Sequence, residues 1–581
     1  MMPITQQTSL SRTNEYYDLG SFGRKINTKN ADAQAWFNRG LTWVYSFNHE
    51  EAAKCFEKAT ICDPSCGIAY WGLAFALGPN YNKPWELFDE KDLKTTVEQT
   101  YKAARTAQSL ISNSTPLERG LINSIQARYE IEWKVSKKDW ASRNRAYAEK
   151  MGSVYREFGH DLDVASLYAD ALMTLTPWKL WDLSTGKPAS KARTLEVKQV
   201  LEKALKQEGG ADHPGILHMY IHLVEMSPNP ELGLNPADRL RDLVPDSGHM
   251  HHMPSHLDVL IGDYRRAIDA NYKATLADDK FLAREGAYNF YTMYCLHNYH
   301  SLIYAAMLAG KVKTAIESVD RMEATLPEDL LLVQSPPMAD WLEAFMSVRP
   351  HVMVRFGMWN EITQLALPKN QELYCVTTAT IHYAKGVAWA ASGNIKRAEQ
   401  ERTLFQAAFQ RVPLTRMDYP NRCVKILSVG AAMLDGEIEY RRGNYEQAFS
   451  SLRESIKRDD GLIYSEPWGW MQPTRHAYAA LMLEQGHVEE AANVYGADLG
   501  LNKMLSRSHW HPNNVWSLQG YHECLVRLGR TDEALLIEPQ LTVALAVADV
   551  PIKSSCFCRR DEETRTDGAR SCCPRTRTSY L

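Results

Sequence analysis

Residues 33–66, AQAWFNRGLTWVYSFNHEEAAKCFEKATICDPSC, decide the fold of this chain. Large and small apolar residues recur in them at the spacing of two consecutive helices. The small residues allow two antiparallel helices to approach closely, and the large ones fill the groove towards the next helix pair. The positions that carry this pattern are Trp36, Gly40, Trp43, Ala52, Phe56, Ala59 and Pro64. The stretch therefore predicts a helical hairpin.

The order and spacing of these positions resemble the tetratricopeptide (TPR) pattern, a helix-turn-helix repeat of about 34 residues. Weaker copies of the pattern follow along the chain. They are Tyr70, Leu73, Ala74 and Leu77 before Gly78; Gly262, Tyr264, Ala267 and Ala274; Gly310 and Ala315; Gly386, Trp389, Gly393 and Ala398; Gly436, Gly443, Ala448 and Leu452; Gly486 and Ala491; Gly529 and Ala534. The predicted fold class is all-α, with TPR-like helical hairpins stacked into a right-handed superhelix.

The domain organisation follows from where this pattern begins and ends. Residues 1–30 are predicted to be a partly irregular N-terminal segment, and residues 31–545 a TPR-like helical repeat domain. Residues 550–581 carry Cys556, Cys558, Cys572 and Cys573 among arginines and have no apolar helical face. A disordered tail is the prediction for this last segment, with a cysteine-rich metal knuckle as the alternative.

Composition excludes several classes of function. The chain has 581 residues, 45% hydrophobic residues and a formal net charge of −4, so it lacks the basic surface of a nucleic-acid-binding protein. It contains no apolar run long enough to span a bilayer, and its N-terminus lacks the apolar core of a signal peptide. We therefore expect a cytoplasmic protein with reduced thiols and no membrane partner.

The histidines are concentrated in one region, because nine of the 18 fall between His213 and His300. If residues 216–226 are helical, offsets of four and seven place His218, His222 and Glu225 on one stripe. Two imidazoles and one carboxylate with open positions suit a divalent transition metal such as Fe, Zn, Mn or Cu. Such a site could activate water or dioxygen. The alternative is a polar stripe that hydrogen-bonds to neighbouring helices.

A second group of histidines follows at Gly248-His249-Met250-His251-His252-Met253-Pro254-Ser255-His256. Pro254 disfavours a continuous helix, so we expect residues 249–253 to be an irregular lead-in that aims His249, His252 and His256 inward. His251 faces elsewhere under either interpretation.

Further along, His297 and His300 could complete the pocket or supply a general base, with a buried histidine bonded to a tyrosine as the alternative. Consecutive hairpins are neighbours in space, so these segments can meet. The predicted metal ligands are His218, His222, Glu225 and His256, and the predicted further ligands or proton carriers are His249, His252 and His300.

Two other segments are candidates for the rim of a ligand pocket. Asn80, Tyr81 and Asn82 lie in the turn after a predicted helix, where amides could orient a ligand; a plain turn is the alternative. Arg475 could clamp an anion beside aromatic walls formed by tryptophans such as Trp178 and Trp468. Aromatic packing between hairpins is the alternative for the tryptophans. His297 is assigned to the same predicted pocket.

Longer stretches resemble a narrower group of bacterial and fungal TPR-containing proteins. They are Phe47–Ala52, Tyr70–Asn82, Thr176–Trp181, His218–Glu225, Gly248–His256, His297–His300 and Glu466–Arg475. The group has no agreed activity, so the resemblance implies a fold and candidate positions, and a biosynthetic role in a fungus is one interpretation of it. The chain contains no Ser-His-Asp elbow, phosphate-binding glycine loop, dinucleotide fingerprint or HExxH zinc signature.

Two hypotheses follow for the function. The first is a metal-dependent enzyme with a buried His/Glu site that acts on a small molecule. The second is a TPR scaffold whose concave face binds a peptide or a partner protein and whose histidines are structural.

Overall fold

The computed structural model describes residues 16–129 and 137–559, and it confirms the all-α helical-repeat class. Residues 16–30 form neither helix nor strand. The helices of the first half are α1 (Ala31–Tyr45), α2 (His49–Cys62), α3 (Gly67–Leu77), α4 (Glu90–Ser109), α5 (Pro116–Gln126), α6 (Lys137–Phe158), α7 (Leu162–Met173), α8 (Thr194–Leu205), α9 (Pro214–Val224), α10 (Leu234–Leu240), α11 (Gly248–His252), α12 (Pro254–Ile261), α13 (Tyr264–Glu285) and α14 (Thr292–Leu308).

The second half continues with helices and contains few strand residues. Its helices are α15 (Val312–Thr325), α16 (Glu328–Leu331), α17 (Met338–Leu342), α18 (Val348–Arg355), α19 (Trp359–Gln364), α20 (Cys375–Ala391), α21 (Ile395–Phe409), α22 (Cys423–Arg442), α23 (Tyr445–Asp460), α24 (Thr474–Glu484), α25 (Val488–Asp498), α26 (Val515–Arg527) and α27 (Thr531–Val547). Within residues 16–129 and 137–559, two antiparallel pairs of two-residue strands interrupt the helices. In the first half, β1 (Trp181–Asp182) pairs with β2 (Lys187–Pro188) between α7 and α8; in the second, β3 (Met417–Asp418) pairs with β4 (Asn421–Arg422) between α21 and α22.

The chain divides into two compact units whose segments alternate along the sequence. The first unit comprises residues up to Asp258, Arg266–Ser301 and Thr325–Met338, and the second comprises Val259–Arg265, Leu302–Ala324 and the residues from Ala339 onward. The repeat pattern that predicts one domain over residues 31–545 carries no signal of this division. All the histidines between His213 and His300 belong to the first unit.

The hairpin predicted from residues 33–66 is formed by α1 and α2, and it sets the packing of the first unit. Asn30 caps α1 and Asn48 caps α2, each side-chain oxygen accepting backbone N–H groups of the first turn. The ring of Phe56 on α2 is fully buried between Gly40 of α1 and Gly72 of α3. A β-carbon would lie 2.9 Å from this ring at Gly40 and 2.5 Å from it at Gly72, so both helices depend on glycine there.

The glycines predicted to separate helices do so in the structure. Gly443 ends α22 with φ of 85°, a left-handed conformation that glycine adopts without steric cost, and α23 begins two residues later. The same position between two helices, also at positive φ, is taken by Gly262, Gly310, Gly393, Gly486 and Gly529. The weaker repeats were therefore placed correctly from the sequence.

The first part of the predicted disordered tail packs against the second unit. Ser555, Cys556 and Cys558 are buried, and Ser555 Oγ donates a hydrogen bond of 2.8 Å to the carbonyl of His476. Ile552 is buried as well, so residues 552–558 contribute small and apolar side chains to the interior of the second unit, which the charge-rich composition of the tail does not reveal. Residues 560–581, with Cys572 and Cys573, lie outside the described residues, and disorder there stays a prediction.

Two further observations concern the cysteines and the length of the apolar helices. Every described cysteine is a free thiol, and most of them are buried. Among these same residues, no helix combines the length and the apolarity needed to cross a membrane.

The packing of Phe56 generates a test of stability. We expect Gly72→Ala to lower the thermal midpoint of the first unit, because the clash with Phe56 costs about 1–3 kcal/mol and outweighs the gain in helix propensity. Gly120→Ala is the matched control: its β-carbon would lie 3.4 Å from Val154, an ordinary contact, in the interior of α5. The control should be neutral or stabilising by up to about 1 kcal/mol. Equal midpoints for the two variants would contradict the packing argument.

Candidate metal centre

Helix α9 places the first predicted site residues, and its start is strongly determined. Pro214 occupies the first turn, where its missing N–H costs nothing, and His213 caps the helix by accepting the N–H of Ile216 at Nδ1. His213 Nε2 in turn lies 3.0 Å from Asp163 Oδ1, which ties the cap to α7. All residues of α9 are buried, so polar side chains on it must find partners inside the protein.

The predicted stripe of His218, His222 and Glu225 is present. The two imidazole rings are 4.9 Å apart, and His222 Nδ1 lies 2.9 Å from Glu225 Oε1. His218 points its Nδ1 the other way, to the carbonyl oxygen of Tyr45 at 2.6 Å. The exposed fractions of these side chains are at most 1%, so the stripe lies in the interior of the first unit.

The second histidine group comes from α11 and α12, and here the structure corrects the sequence analysis. Residues 248–252 are helical, not an irregular lead-in, and Met253 keeps helical backbone angles. Pro254 starts α12 in the first-turn position that proline tolerates, so the chain runs almost continuously helical through His256. Offsets of three and four residues therefore bring His249, His252 and His256 onto one face.

Contacts between the two groups join them into one cluster. His249 Nε2 lies 3.2 Å from His218 Nε2, and His256 Nδ1 lies 2.5 Å from Glu225 Oε2. His256 Nε2 also lies 2.7 Å from His252 Nε2. Glu225 thus holds one histidine of each group, with a different carboxylate oxygen for each.

Helix α14 adds His297 to the cluster. Its ring centroid is 4.6 Å from that of His252 and 6.4 Å from that of His256. His300 is buried one turn further along α14. A group of three residues could share a metal ion if their ligand atoms all lie within 4.8 Å of one another, and His300 belongs to no such group. Within the described residues those groups are His218, His222 and His249; His252, His256 and His297; and His222, Glu225 and His256.

The hydrogen bonds determine which ring nitrogens carry protons. A carbonyl oxygen only accepts, so His218 carries its proton on Nδ1 towards Tyr45. Asn271 donates its amide N–H to the carbonyl of Ala267, which leaves its Oδ1 to accept from His252 Nδ1 at 2.7 Å. In a neutral imidazole the other nitrogen, Nε2, then has a free lone pair. For His218 and His252 that lone pair faces another histidine.

His222 and His256 share this orientation through Glu225. When the carboxylate of Glu225 is ionised, the Nδ1 atoms of both histidines donate to it, and the Nε2 atoms of both carry no proton. His222 Nε2 is buried and has no hydrogen-bond partner among the described residues. The 2.7 Å contact between His252 and His256 then needs a proton or a cation, because two lone pairs repel. A protonated Glu225 that donates to His256 would supply the proton.

Burial keeps these imidazoles neutral near pH 7. It lowers the pKa of His222 and of His256 to about 3 and the pKa of His252 to about 4. It also holds the pKa values of His218, His249 and His297 well below the usual range, with neighbouring histidines adding to the effect. Burial raises the pKa of Glu225, with the contact to His256 acting in the opposite direction. Neutral imidazole is the form that binds a metal ion.

Phe47 forms a wall between the histidines and a cavity. Its ring centroid lies 4.4 Å from that of His218 and is stacked on His222 and His249 at 5.7 and 5.4 Å. Phe47 has φ of 55°, an uncommon value for a bulky residue, in the turn between α1 and α2. Phe47 also lines a cavity of about 190 Å³, together with Tyr294, whose ring centroid is 5.0 Å from that of His249.

The predicted pocket residues separate into two sets. Asn80 lines this cavity, and Tyr81 has its ring 5.2 Å from that of His222. Asn82 hydrogen-bonds to Tyr294. Arg475, in contrast, lies in the second unit, where both terminal nitrogens pair with Asp460 at 2.7 Å. Two of its five N–H donors are engaged by this carboxylate, and its role as an anion clamp stays a prediction.

Sequence reasoning missed the groups that orient the histidines. Tyr45 contacts His218 through its backbone carbonyl, which leaves no signal in the pattern of side chains. Asn271 is separated in sequence from every histidine motif, so nothing near it in the chain marks it as part of the site. Phe47 carries no metal-binding or catalytic group, so its contact with the histidines is not visible in the sequence. His251, excluded from the site, lies 2.9 Å from the carbonyl of Pro245 and belongs to none of the groups.

The lowered pKa values predict how stability depends on pH. The unfolded chain takes up protons on histidine below about pH 6.5, whereas these folded histidines stay neutral, so stability is complete above that pH and decreases as pH falls. Each such histidine contributes about 2 kcal/mol of destabilisation at pH 5. The raised pKa of Glu225 acts in the opposite direction, but as a single group.

We therefore expect chelator-treated protein to show a steep fall in thermal midpoint between pH 7 and pH 5. The double variant His222→Gln/His256→Gln should show a shallower fall, since glutamine takes up no proton when the chain unfolds. The measurement is thermal unfolding by circular dichroism at constant ionic strength. Parallel curves for the parent and the double variant would contradict the assignment of neutral buried imidazoles.

Comparisons with known proteins bear on the fold. The model of the tetratricopeptide repeat family matches residues 33–66. No curated protein sequence matches the chain. The solved structure of the APC/C hetero-tetramer Cut9-Hcn1 is similar at 11% identity over 82% of this chain and 74% of that one, with a TM-score of 0.30. The structure of Naa15/Naa10 bound to HypK-THB is similar at 13% identity over 89% and 70%, with a TM-score of 0.22.

At these identities and TM-scores, the two structures carry no information on the function of this chain. The repeat model covers the α1–α2 hairpin from which the sequence analysis started, and the later hairpins have their glycines at the predicted turns. Residues 33–66 are therefore a tetratricopeptide repeat, set in an all-α chain of helical hairpins.

Proposed function

We propose that the first unit is a metalloprotein in which the buried histidines bind a divalent transition metal ion, and that the metal acts on a small molecule. The observation that carries this proposal is the orientation of four imidazoles. His218, His222, His252 and His256 each direct Nδ1 to an oxygen acceptor and Nε2 towards another histidine or an unpartnered interior position. Metal-binding histidines in proteins are held in this way, with the second nitrogen bound to a carbonyl or carboxylate.

Glu225 has a different role in this proposal from the one inferred from sequence. Both of its oxygens are engaged by Nδ1 atoms of His222 and His256. A carboxylate in this position orients the imidazoles and increases their basicity, so it need not bind the metal itself. A ligand set dominated by imidazole suits zinc, copper or iron better than manganese, which prefers oxygen.

The cavity beside Phe47 supports an action on a small molecule. A volume of about 190 Å³ accommodates a small organic molecule, and the lining includes polar groups such as Asn80, Lys83 and Asp92. Phe47 and Tyr294 line the cavity and also contact His249, so a molecule bound there lies one aromatic ring away from the histidines. A metal with a purely structural role has no need of such a neighbour.

The first test is the metal content of protein purified without a histidine tag, by elemental mass spectrometry. We expect close to stoichiometric metal in the parent and a loss of most of it in His218→Ala/His222→Ala, which removes two inward nitrogens. His251→Gln is the control, because His251 belongs to the same sequence motif but lies against the carbonyl of Pro245. The control should retain the metal content of the parent.

One result would refute the proposal. Less than about a tenth of an equivalent of metal in the parent, even after anaerobic reconstitution, would mean that the histidines are structural. Proteins with tetratricopeptide repeats generally bind protein partners. In that case a pull-down that yields one stoichiometric partner, unaffected by the double variant, would establish the scaffold hypothesis instead.

A second prediction concerns access through the cavity. We expect Phe47→Ala to accelerate removal of the metal by a chelator at least several-fold, because it joins the cavity to the space between the imidazoles. The rate is followed by the absorbance of a colorimetric chelator in excess. Leu365→Ala in the second unit is a control for general loosening, since Leu365 packs on that unit's core. Equal acceleration by both variants would contradict access through the cavity.

A further inference from the structure

The histidines form two separate sets of three, and we infer that the centre binds two metal ions, one on each set. This inference rests on the proposed function. The first set is His218, His222 and His249, and the second is His252, His256 and His297. The sets share no residue, and each offers one ring nitrogen per histidine within 4.8 Å of the other two. Three imidazoles are the protein ligands of many zinc and copper sites with an open position.

The six imidazoles do not converge on a single point. No group that contains members of both histidine sets appears among the described residues except His222, Glu225 and His256. The rings that face each other across the boundary, His249 with His252 and His222 with His256, have centroids 5.7 Å apart in both cases. Within the sets, the corresponding separation is 4.9 Å for His218 and His222 and 4.7 Å for His252 and His256. The closest pair of rings in each set is therefore closer than either pair across the boundary. His256 and His297 have centroids 6.4 Å apart, so their membership of one set rests on the distances between their ring nitrogens.

The spacing of nitrogens in the first set already fits a bound ion. Two ligands at about 2.0–2.1 Å in tetrahedral geometry have their nitrogens about 3.3 Å apart. His218 Nε2 and His249 Nε2 lie 3.2 Å apart. In the second set, His252 Nε2 and His256 Nε2 lie at the hydrogen-bonding distance of 2.7 Å and must separate by about 0.6 Å to share an ion. The proton between them leaves when the ion binds.

Glu225 links the two sets. It holds His222 of the first set and His256 of the second through its two oxygens, so one carboxylate orients a ligand of each ion. Its negative charge also compensates part of the positive charge that two ions bring into a buried site. This connection predicts that Glu225→Gln weakens binding at both positions. The neutral amide removes the negative charge that compensates both ions, and it can accept a hydrogen bond from only one of the two Nδ1 atoms.

The experiment measures zinc and copper separately, each added to metal-free protein and counted by elemental analysis after gel filtration. We expect about two equivalents of at least one of these metals in the parent. His249→Gln changes only the first set and His297→Gln only the second, so each variant should retain about one equivalent. His251→Gln should retain two, as the control from the same motif. The double variant His249→Gln/His297→Gln should retain less than half an equivalent.

The outcomes separate this inference from the proposed function. No metal in the parent refutes both. Another outcome is one equivalent of metal in the parent that is retained in His249→Gln and His297→Gln but lost in Glu225→Gln. This result would place a single ion between His222 and His256, and it would overturn only the two-ion centre. Loss of all metal in either single variant overturns it as well.

Folding of the variants is checked independently of metal. Circular dichroism and the thermal midpoint of the metal-free proteins should match those of the parent within a few degrees. Should His249→Gln fail this check, His218→Gln removes a ligand of the same set and replaces it in the experiment. His297 is the least buried member of its set, so its substitution is the better tolerated one.

Discussion

The buried carboxylate of Glu225 is the constraint on which the rest of the centre depends. Its side chain is fully buried. The contact of 2.9 Å to His222 lies at the end of α9, and the contact of 2.5 Å to His256 joins α9 to α12. A buried polar group without partners costs free energy, and the two imidazoles are the partners of its two oxygens. The imidazoles in turn are oriented by the carboxylate, and their remaining nitrogens face inward as a result.

The tetratricopeptide repeat contributes directly to this arrangement. The turn between α1 and α2 presents the carbonyl of Tyr45 to His218 and the ring of Phe47 to three of the histidines. That turn is held because Phe56 locks α1, α2 and α3 together through Gly40 and Gly72. Helices α9, α11, α12 and α14 then bring their histidines to the same place. The hairpin packing and the orientation of the site are therefore parts of one structure.

Two effects keep the buried imidazoles neutral. Burial disfavours the protonated form of every one of these histidines, and their mutual proximity adds to the effect at His218, His249 and His297. Close contacts from Glu225 to His256 and from His256 to His252 provide partners for some of the ring nitrogens. The inward nitrogen of His222 has no such partner among the described residues. A metal ion would satisfy the inward lone pairs together, which is the physical basis of the proposed function.

Helical periodicity over short distances makes four features predictable from the amino-acid sequence: the all-α class, the α1–α2 hairpin, the glycine turns and the stripe of His218, His222 and Glu225. The sequence also indicates which other segments carry histidines. Three features depend on the folded chain: Glu225 contacts both His222 and His256, the histidines form two sets, and Tyr45 and Asn271 orient His218 and His252. These contacts join residues 31 to 173 positions apart for the Glu225–His256 and His218–Tyr45 pairs, and no local pattern encodes them. The helical state of residues 248–252 was missed for a related reason: Pro254 disfavours a helix locally, whereas packing in the interior places it at the first turn of α12.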